Sequence, residues 1–111
     1  MNINYPLQGD IILVNLSPTS GHEQKGSRPG LVISKSNFNK ATQMCILVPI
    51  TNSKKGYPFE VEVHSSKTKG VILSDQIRTI DYIARKAKVV DKVSSDCLEK
   101  VLKKVNLILN K

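Results

Sequence analysis

The chain has no tryptophan, two phenylalanines and three tyrosines in 111 residues, so a surface of stacked aromatics could hold few bases or rings. Its two cysteines, Cys45 and Cys97, are far apart and each has apolar neighbours. That excludes a disulfide framework, a redox motif and a zinc spacing, and leaves buried free thiols as the expectation. No apolar run approaches the roughly 18 residues of a membrane span. The N-terminal MNINYPLQGD has neither the basic nor the apolar region of a secretory leader. A cytoplasmic protein with no membrane association is therefore expected. Six glycines and five prolines lie within the globular range and set aside collagen-like or low-complexity chains.

Acidic residues are also scarce, nine against 17 Lys and Arg, for a net charge of +8. The excess is spread along the chain, with six basic and two acidic residues up to Lys55 and eleven and seven beyond it. Such a balance suits a polyanionic partner, or equally a protein kept soluble by its lysines, so charge has to be joined to a site. The length fits one core, a single domain over residues 1–111, and a chain of this size buries roughly two-thirds of its unfolded surface without needing staples.

Short apolar or alternating segments fill the first three-quarters of the sequence, separated by Gly, Pro, Ser and Asn clusters. Strands are predicted over Asp10–Leu16, Gly30–Ser34, Met44–Ile50, Phe59–His64, Val71–Leu73, Gln76–Ile80 and Arg85–Val90. Met44–Ile50 is apolar throughout, as a central strand covered on both faces would be, and Pro49 marks its end or a bulge. A short helical turn is expected at Ser36–Lys40. After Val93 the period changes. Leu98, Val101, Leu102, Val105 and Leu109 recur at helical spacing opposite Lys100, Lys103 and Lys104, and the helix starts near Ser95 with Asp96 and Glu99 as a capping box. Strands closed by one helix imply a mainly β fold, a small antiparallel β-barrel with a C-terminal α-helix.

Between the first two strands lie 13 residues, Ser17–Pro29, against about 2 to 5 in an ordinary hairpin loop. This stretch holds an acid or base pair (His22, Glu23), hydrogen-bonding side chains (Ser20, Gln24), two cations (Lys25, Arg28) and two glycines. Such a set suits a phosphodiester, although a solvated loop with casual charge pairs would have the same composition.

Gly21-His-Glu-Gln-Lys-Gly-Ser-Arg-Pro29 resembles the signature loop of the PemK/MazF family of bacterial toxin endoribonucleases. The resemblance continues, in the family's order, through Gly9–Ile12 with Pro18-Thr19, Cys45–Thr51, Lys55–Val61 and Ser74–Ile80, and so spans nearly the whole chain. It implies an SH3-like barrel, a homodimer, and metal-independent, cofactor-free cleavage of single-stranded mRNA at short sequences. The products would be a 2′,3′-cyclic phosphate and a 5′-hydroxyl, with the RNA's own 2′-OH as nucleophile, so no protein nucleophile is required. By resemblance, Glu23, Arg28 and Thr51 match the catalytic positions of one branch: a carboxylate to take the 2′-OH proton, a guanidinium to grip the phosphate and a hydroxyl to donate to a non-bridging oxygen. A second branch uses positions matching His22 and Asp75 with an Arg two residues earlier, where this chain has Leu73. RNA would be bound by Ser20, Gln24, Lys25, Lys54, Lys55, Gln76 and Arg78, with Arg85 as a further phosphate contact and a base stacked on Tyr57 or Phe38. The implied partner is a small acidic antitoxin, and any DNA contact would run through it. The alternative is a barrel of the same architecture that poisons gyrase without being a nuclease.

Overall fold

The computed structural model describes residues 5–16, 27–63, 65 and 67–110. Seven strands and two helices follow one another as β1 (Asp10–Asn15), β2 (Ser27–Val32), α1 (Ser36–Thr42), β3 (Met44–Thr51), β4 (Glu60–Glu62), β5 (Val71–Leu73), β6 (Arg78–Asp81), β7 (Lys88–Lys92) and α2 (Ser95–Leu109). All pairings are antiparallel, in the order β4-β5-β3-β2-β1-β7 with β6 also on β3. The expected antiparallel sheet with a C-terminal helix is what forms. It curls, but among the described residues its hydrogen-bonded ladder does not close, so barrel describes it only loosely.

β3 is the hub. One edge pairs with β2, while the other pairs first with β6 through Met44–Leu47 and then with β5 through Ile50 and Thr51. Pro49, expected to mark the end of the strand or a bulge, does neither: β3 runs on to Thr51 and keeps its register with β2 up to Pro49. The proline stands where the outer edge passes from one partner to the other, the kind of irregular position a proline tolerates. The unbroken apolarity of β3 is explained by its two covered faces. Val48 and Ile50 pack with Ile11, Leu31 and Ile72 under Cys97, Val101 and Val105 of α2, while Cys45 and Leu47 pack with Ile12, Val14, Val32, Ile80 and Tyr82 on the other side. Both cysteines are buried free thiols, as expected, and burial pushes Cys45 up to about 12.

The helix begins where periodicity puts it, but its cap differs. Ser94, not Asp96, is the N-cap, and its hydroxyl accepts from the Cys97 N–H at 3.1 Å, while Asp96 lies in the first turn facing the positive end of the dipole. Lys104 does not point freely to solvent. Its ammonium donates to the Pro58 carbonyl at 2.7 Å and ties α2 to the segment after β3. A fully buried Asn39 joins distant parts of the chain. Its amide nitrogen donates to the carbonyls of Pro6 and Ser34, its amide oxygen accepts from the Ser34 hydroxyl, and its backbone carbonyl accepts from the Tyr82 phenol.

Candidate functional site

Arg28 was expected in a loop, and it stands in a strand. β2 starts at Ser27, three residues earlier than expected, because Val14 and Asn15 of β1 continue the ladder to Arg28 and Ser27. A guanidinium carried by a paired strand is more firmly aimed than one on a free loop. The β2–β3 register runs Val32–Leu47, Leu31–Val48, Gly30–Pro49. Continued by two residues it sets Arg28 opposite Thr51, the last residue of β3. Arg28 is exposed and Thr51 half-buried. The Thr51 hydroxyl oxygen accepts from the Ser53 N–H at 3.2 Å, a bond that leaves its own hydrogen available to a ligand oxygen. His22, Glu23, Gln24, Lys25 and Ser20, like His64, lie outside the described residues.

Thr51 also pairs with Val71 at the start of β5, and because the strands are antiparallel the turn after β5 lies beside the middle of β3, between the levels of Ile50 and Leu47, and is not brought to the Thr51 end. Asp75 and Gln76 sit exposed in this turn, closed by the Gln76 N–H on the Leu73 carbonyl at 3.1 Å. Ser74 beside them is fully buried, and its hydroxyl has no partner among the described residues. The segment leaving Thr51 carries Lys54, Lys55 and Tyr57, all exposed, with Tyr57 at 61 %. Glu60 shapes it by accepting from the backbone N–H groups of Lys55 and Gly56, and Lys54 forms an exposed ion pair with Glu62 at 3.1 Å. Exposed pairs of this kind contribute about 0–1 kcal/mol, weak enough for a phosphate to displace. Phe38, in α1 before β3, is at the opposite end of that strand from Thr51 and is not brought to this site.

Two arginines expected at phosphates make protein contacts. Arg78, half-buried at the start of β6, donates through Nη1 to the Leu16 carbonyl at 3.2 Å, and Arg85, in the turn between β6 and β7 rather than in a strand, donates to the Asn15 carbonyl at 2.7 Å. Two further residues were not singled out from sequence. Gly70, at φ +129°, lies so close to β3 that a Cβ there would be 2.5 Å from the Thr51 carbonyl oxygen. Asp91 of β7 clasps the approach to β5 by accepting from the Ser65 and Thr68 hydroxyls and the Thr68 N–H, and these bonds, the one from Ser65 foremost, hold its carboxyl down near 2. A turn glycine after the polar run Ser65–Lys69 was readable, whereas a lone Asp between Val90 and Lys92 gave no signal. Among the described residues no group of His, Cys, Asp and Glu could hold a metal ion, and no helix is long and apolar enough to cross a membrane.

Residues 7–109 match the family model described as the PemK-like, MazF-like toxin of type II toxin–antitoxin systems. The chain is 40 % identical over 104 residues to the endoribonuclease toxin MazF of Escherichia coli K12, with 94 % of each chain covered. Its fold is similar to the crystal structure of MazF from Deinococcus radiodurans, with a TM-score of 0.86 and 34 % identity over 98 % of this chain and all of that one. It is also similar to a chain of the MazE–MazF structure from the same organism, with a TM-score of 0.85 and 30 % identity over 97 % and 98 %. The open antiparallel sheet with its C-terminal helix and these likenesses over nearly the whole length show that the chain belongs to the PemK-like, MazF-like toxin family.

Proposed function

We propose that the chain is one toxin domain over residues 1–111, an endoribonuclease that cuts single-stranded mRNA at short sequences without a metal or cofactor and is neutralised by an antitoxin. The observation that carries this is the family match over residues 7–109, in a chain whose relatives are named endoribonucleases, and it is supported by a β2–β3 register that, continued by two residues, sets Arg28 opposite Thr51. In the proposed reaction the RNA 2′-oxygen attacks the adjacent phosphorus as Glu23 takes its proton. The bond from phosphorus to the 5′-oxygen breaks, the 5′-oxygen takes a proton from water and leaves as a hydroxyl, the proton on Glu23 returns to solvent, and the 2′,3′-cyclic phosphate remains. Arg28 holds two phosphate oxygens with its planar fork, and its high pKa suits it to stabilising charge rather than giving up a proton. Thr51 donates its hydroxyl to a non-bridging oxygen. A well-placed base contributes about 10²- to 10⁴-fold. His22 and Asp75 are auxiliary, since the branch that relies on them also uses an Arg where Leu73 stands.

Lys25, Lys54 and Lys55 would track the RNA backbone, Ser20, Gln24 and Gln76 would hydrogen-bond to it, Arg78 would add charge, and Tyr57 would carry a stacked base. The partner is a small acidic antitoxin competing for the same basic surface, the protein acts as a homodimer in the cytoplasm, and any DNA contact runs through the antitoxin. Incubation with a long single-stranded transcript in EDTA tests the activity: cleavage is expected, with 2′,3′-cyclic phosphate ends. It should vanish in Arg28→Ala and stay poor in Arg28→Lys, because an ammonium cannot reproduce a two-point grip. An intact transcript with folded protein would overturn the proposal.

A further inference from the structure

The β1–β7 ladder ends at Leu13 and Lys88, two residues short of the end of β1. Beyond that point two guanidiniums reach the backbone of the strand's exit. Arg85 donates to the Asn15 carbonyl at 2.7 Å from the turn that precedes β7, and Arg78 donates to the Leu16 carbonyl at 3.2 Å from the start of β6. These contacts cross 70 and 62 residues of sequence: the one from Arg85 prolongs the contact of β1 with the chain entering β7, and the one from Arg78 joins β1 to β6, between which no ladder forms among the described residues. Arg78 is itself fixed by pairing with Leu47 of β3, the strand that ends in Thr51. On its other edge the same end of β1 pairs Val14 with Arg28 and Asn15 with Ser27. Arg28 is therefore connected to β3 by two routes, through the β2–β3 ladder and through β1, Arg78 and β6, while Arg85 holds the same exit of β1 from the side of β7.

A carbonyl at a sheet edge needs a donor, and a charged guanidinium is a strong one whose plane fixes direction as well as distance. We propose that Arg78 and Arg85 form a brace, one from β6 and one from the turn entering β7, that holds the exit of β1, and through its register Arg28, in the geometry cleavage requires. They are positioning residues for the reaction proposed above, and the inference rests on that reading. The brace uses one Nη1 of each arginine, so the guanidinium of Arg78 has further donors for a phosphate. The experiment must therefore separate holding the strand from binding the RNA.

Arg78→Ala and Arg85→Ala would be compared with the unaltered protein, with Arg78→Lys and Arg85→Lys serving where an alanine variant does not fold. Amide hydrogen exchange is read over Leu13–Leu16 and at Ser27 and Arg28, with α2 as the internal reference. Exchange in those two stretches should rise by at least about tenfold while α2 is unchanged, the signature of a local opening. On a long single-stranded transcript, kcat should fall by about tenfold or more with KM nearly constant, as expected for a displaced catalytic geometry. In Arg85→Ala the dependence of RNA affinity on salt should not change, whereas loss of a phosphate contact would lower the log-log slope by about 0.7. Unchanged exchange in the two stretches would overturn the brace regardless of activity. A raised KM with a reduced salt slope and unchanged kcat would overturn positioning in favour of direct RNA contact. Should the unaltered protein leave the transcript intact, the proposed function fails, and exchange alone decides whether the brace exists.

Discussion

Replacing Gly70 with alanine tests how tightly the end of β3 is held. The residue has a φ of +129°, a region L side chains rarely adopt, and an added Cβ would lie 2.5 Å from the Thr51 carbonyl oxygen and 3.1 Å from its carbon. Ordinary carbon–oxygen contacts are ~3.3 Å or longer, so either Gly70 or Thr51 must retreat by about 0.8 Å. Backbone strain of this kind costs about 1–3 kcal/mol and overpacking a further 1–3. A loss of about 3 kcal/mol is expected, which lowers Tm by roughly 10–20 °C in a domain of this size. Gly56→Ala is the control, because Gly56 also has a positive φ of +79° but nothing within 4 Å of an added Cβ. It should lose only about 1 kcal/mol, from the backbone alone. The second readout is cleavage of single-stranded RNA at a temperature well below both transitions. A shift of about 1 Å at a reacting group can cost 10²-fold, so kcat should fall by a factor of tens. A Gly70→Ala protein with unchanged Tm and unchanged rate would refute the account of the close approach, and a drop equal to that of Gly56→Ala would show that the Thr51 carbonyl yields freely.

Asp91 has its carboxyl depressed from 3.8 to about 2, so the stability it contributes is complete above about pH 4 and is lost as the pH falls towards 2. Melting curves across that window should flatten in Asp91→Asn, and an equal acid slope in both proteins would count against the clasp. Asn39→Ala leaves the Pro6 and Ser34 carbonyls and the Ser34 hydroxyl without their buried partner, which should cost about 2–4 kcal/mol as a lower urea midpoint at unchanged m. If about four basic side chains contact phosphates, RNA affinity should fall with salt at a log-log slope near −3. Replacing Lys54 and Lys55 together should reduce that slope more than replacing Lys100 and Lys103, exposed on α2.

What the sequence revealed and what it hid divide by range. The α2 stripe and the unbroken apolarity of β3 are local patterns, and both were legible because a helix or a central strand records its burial in its own periodicity. Strand ends were less so. β2 reaches back to Ser27 because β1 is long enough to pair with it, a property of two segments that neither shows alone. The cap on α2 was misassigned by one motif, since Ser94 and the Asp96–Glu99 pair both fit the composition of a helix start and only the backbone distinguishes them. Contacts made by single side chains over long distances left no trace. Arg78 and Arg85 are as basic as any phosphate ligand, Asn39 looks like an ordinary surface residue in a polar turn, and the hydroxyls that Asp91 accepts from lie 23 and 26 residues away. At the site itself, the composition of residues 17–29 suited a phosphodiester and a solvated loop alike, and only the β2–β3 register, continued by two residues, sets Arg28 opposite Thr51.

The double pairing of β3 also bears on how the chain emerges from the ribosome. Its outer edge stays unfilled until Asp81 has been made, roughly 30 residues after Thr51, on the order of seconds at ordinary rates of synthesis. During that interval Met44–Val48 is five consecutive uncharged apolar residues with an open edge, the composition that seeds aggregation between nascent chains. Pro49 cuts that stretch short, because a proline cannot donate to a foreign strand and interrupts a growing β-stack. The residue that marks the exchange of partners in the finished sheet thus acts earlier as a gatekeeper, guarding the chain before its own strands arrive.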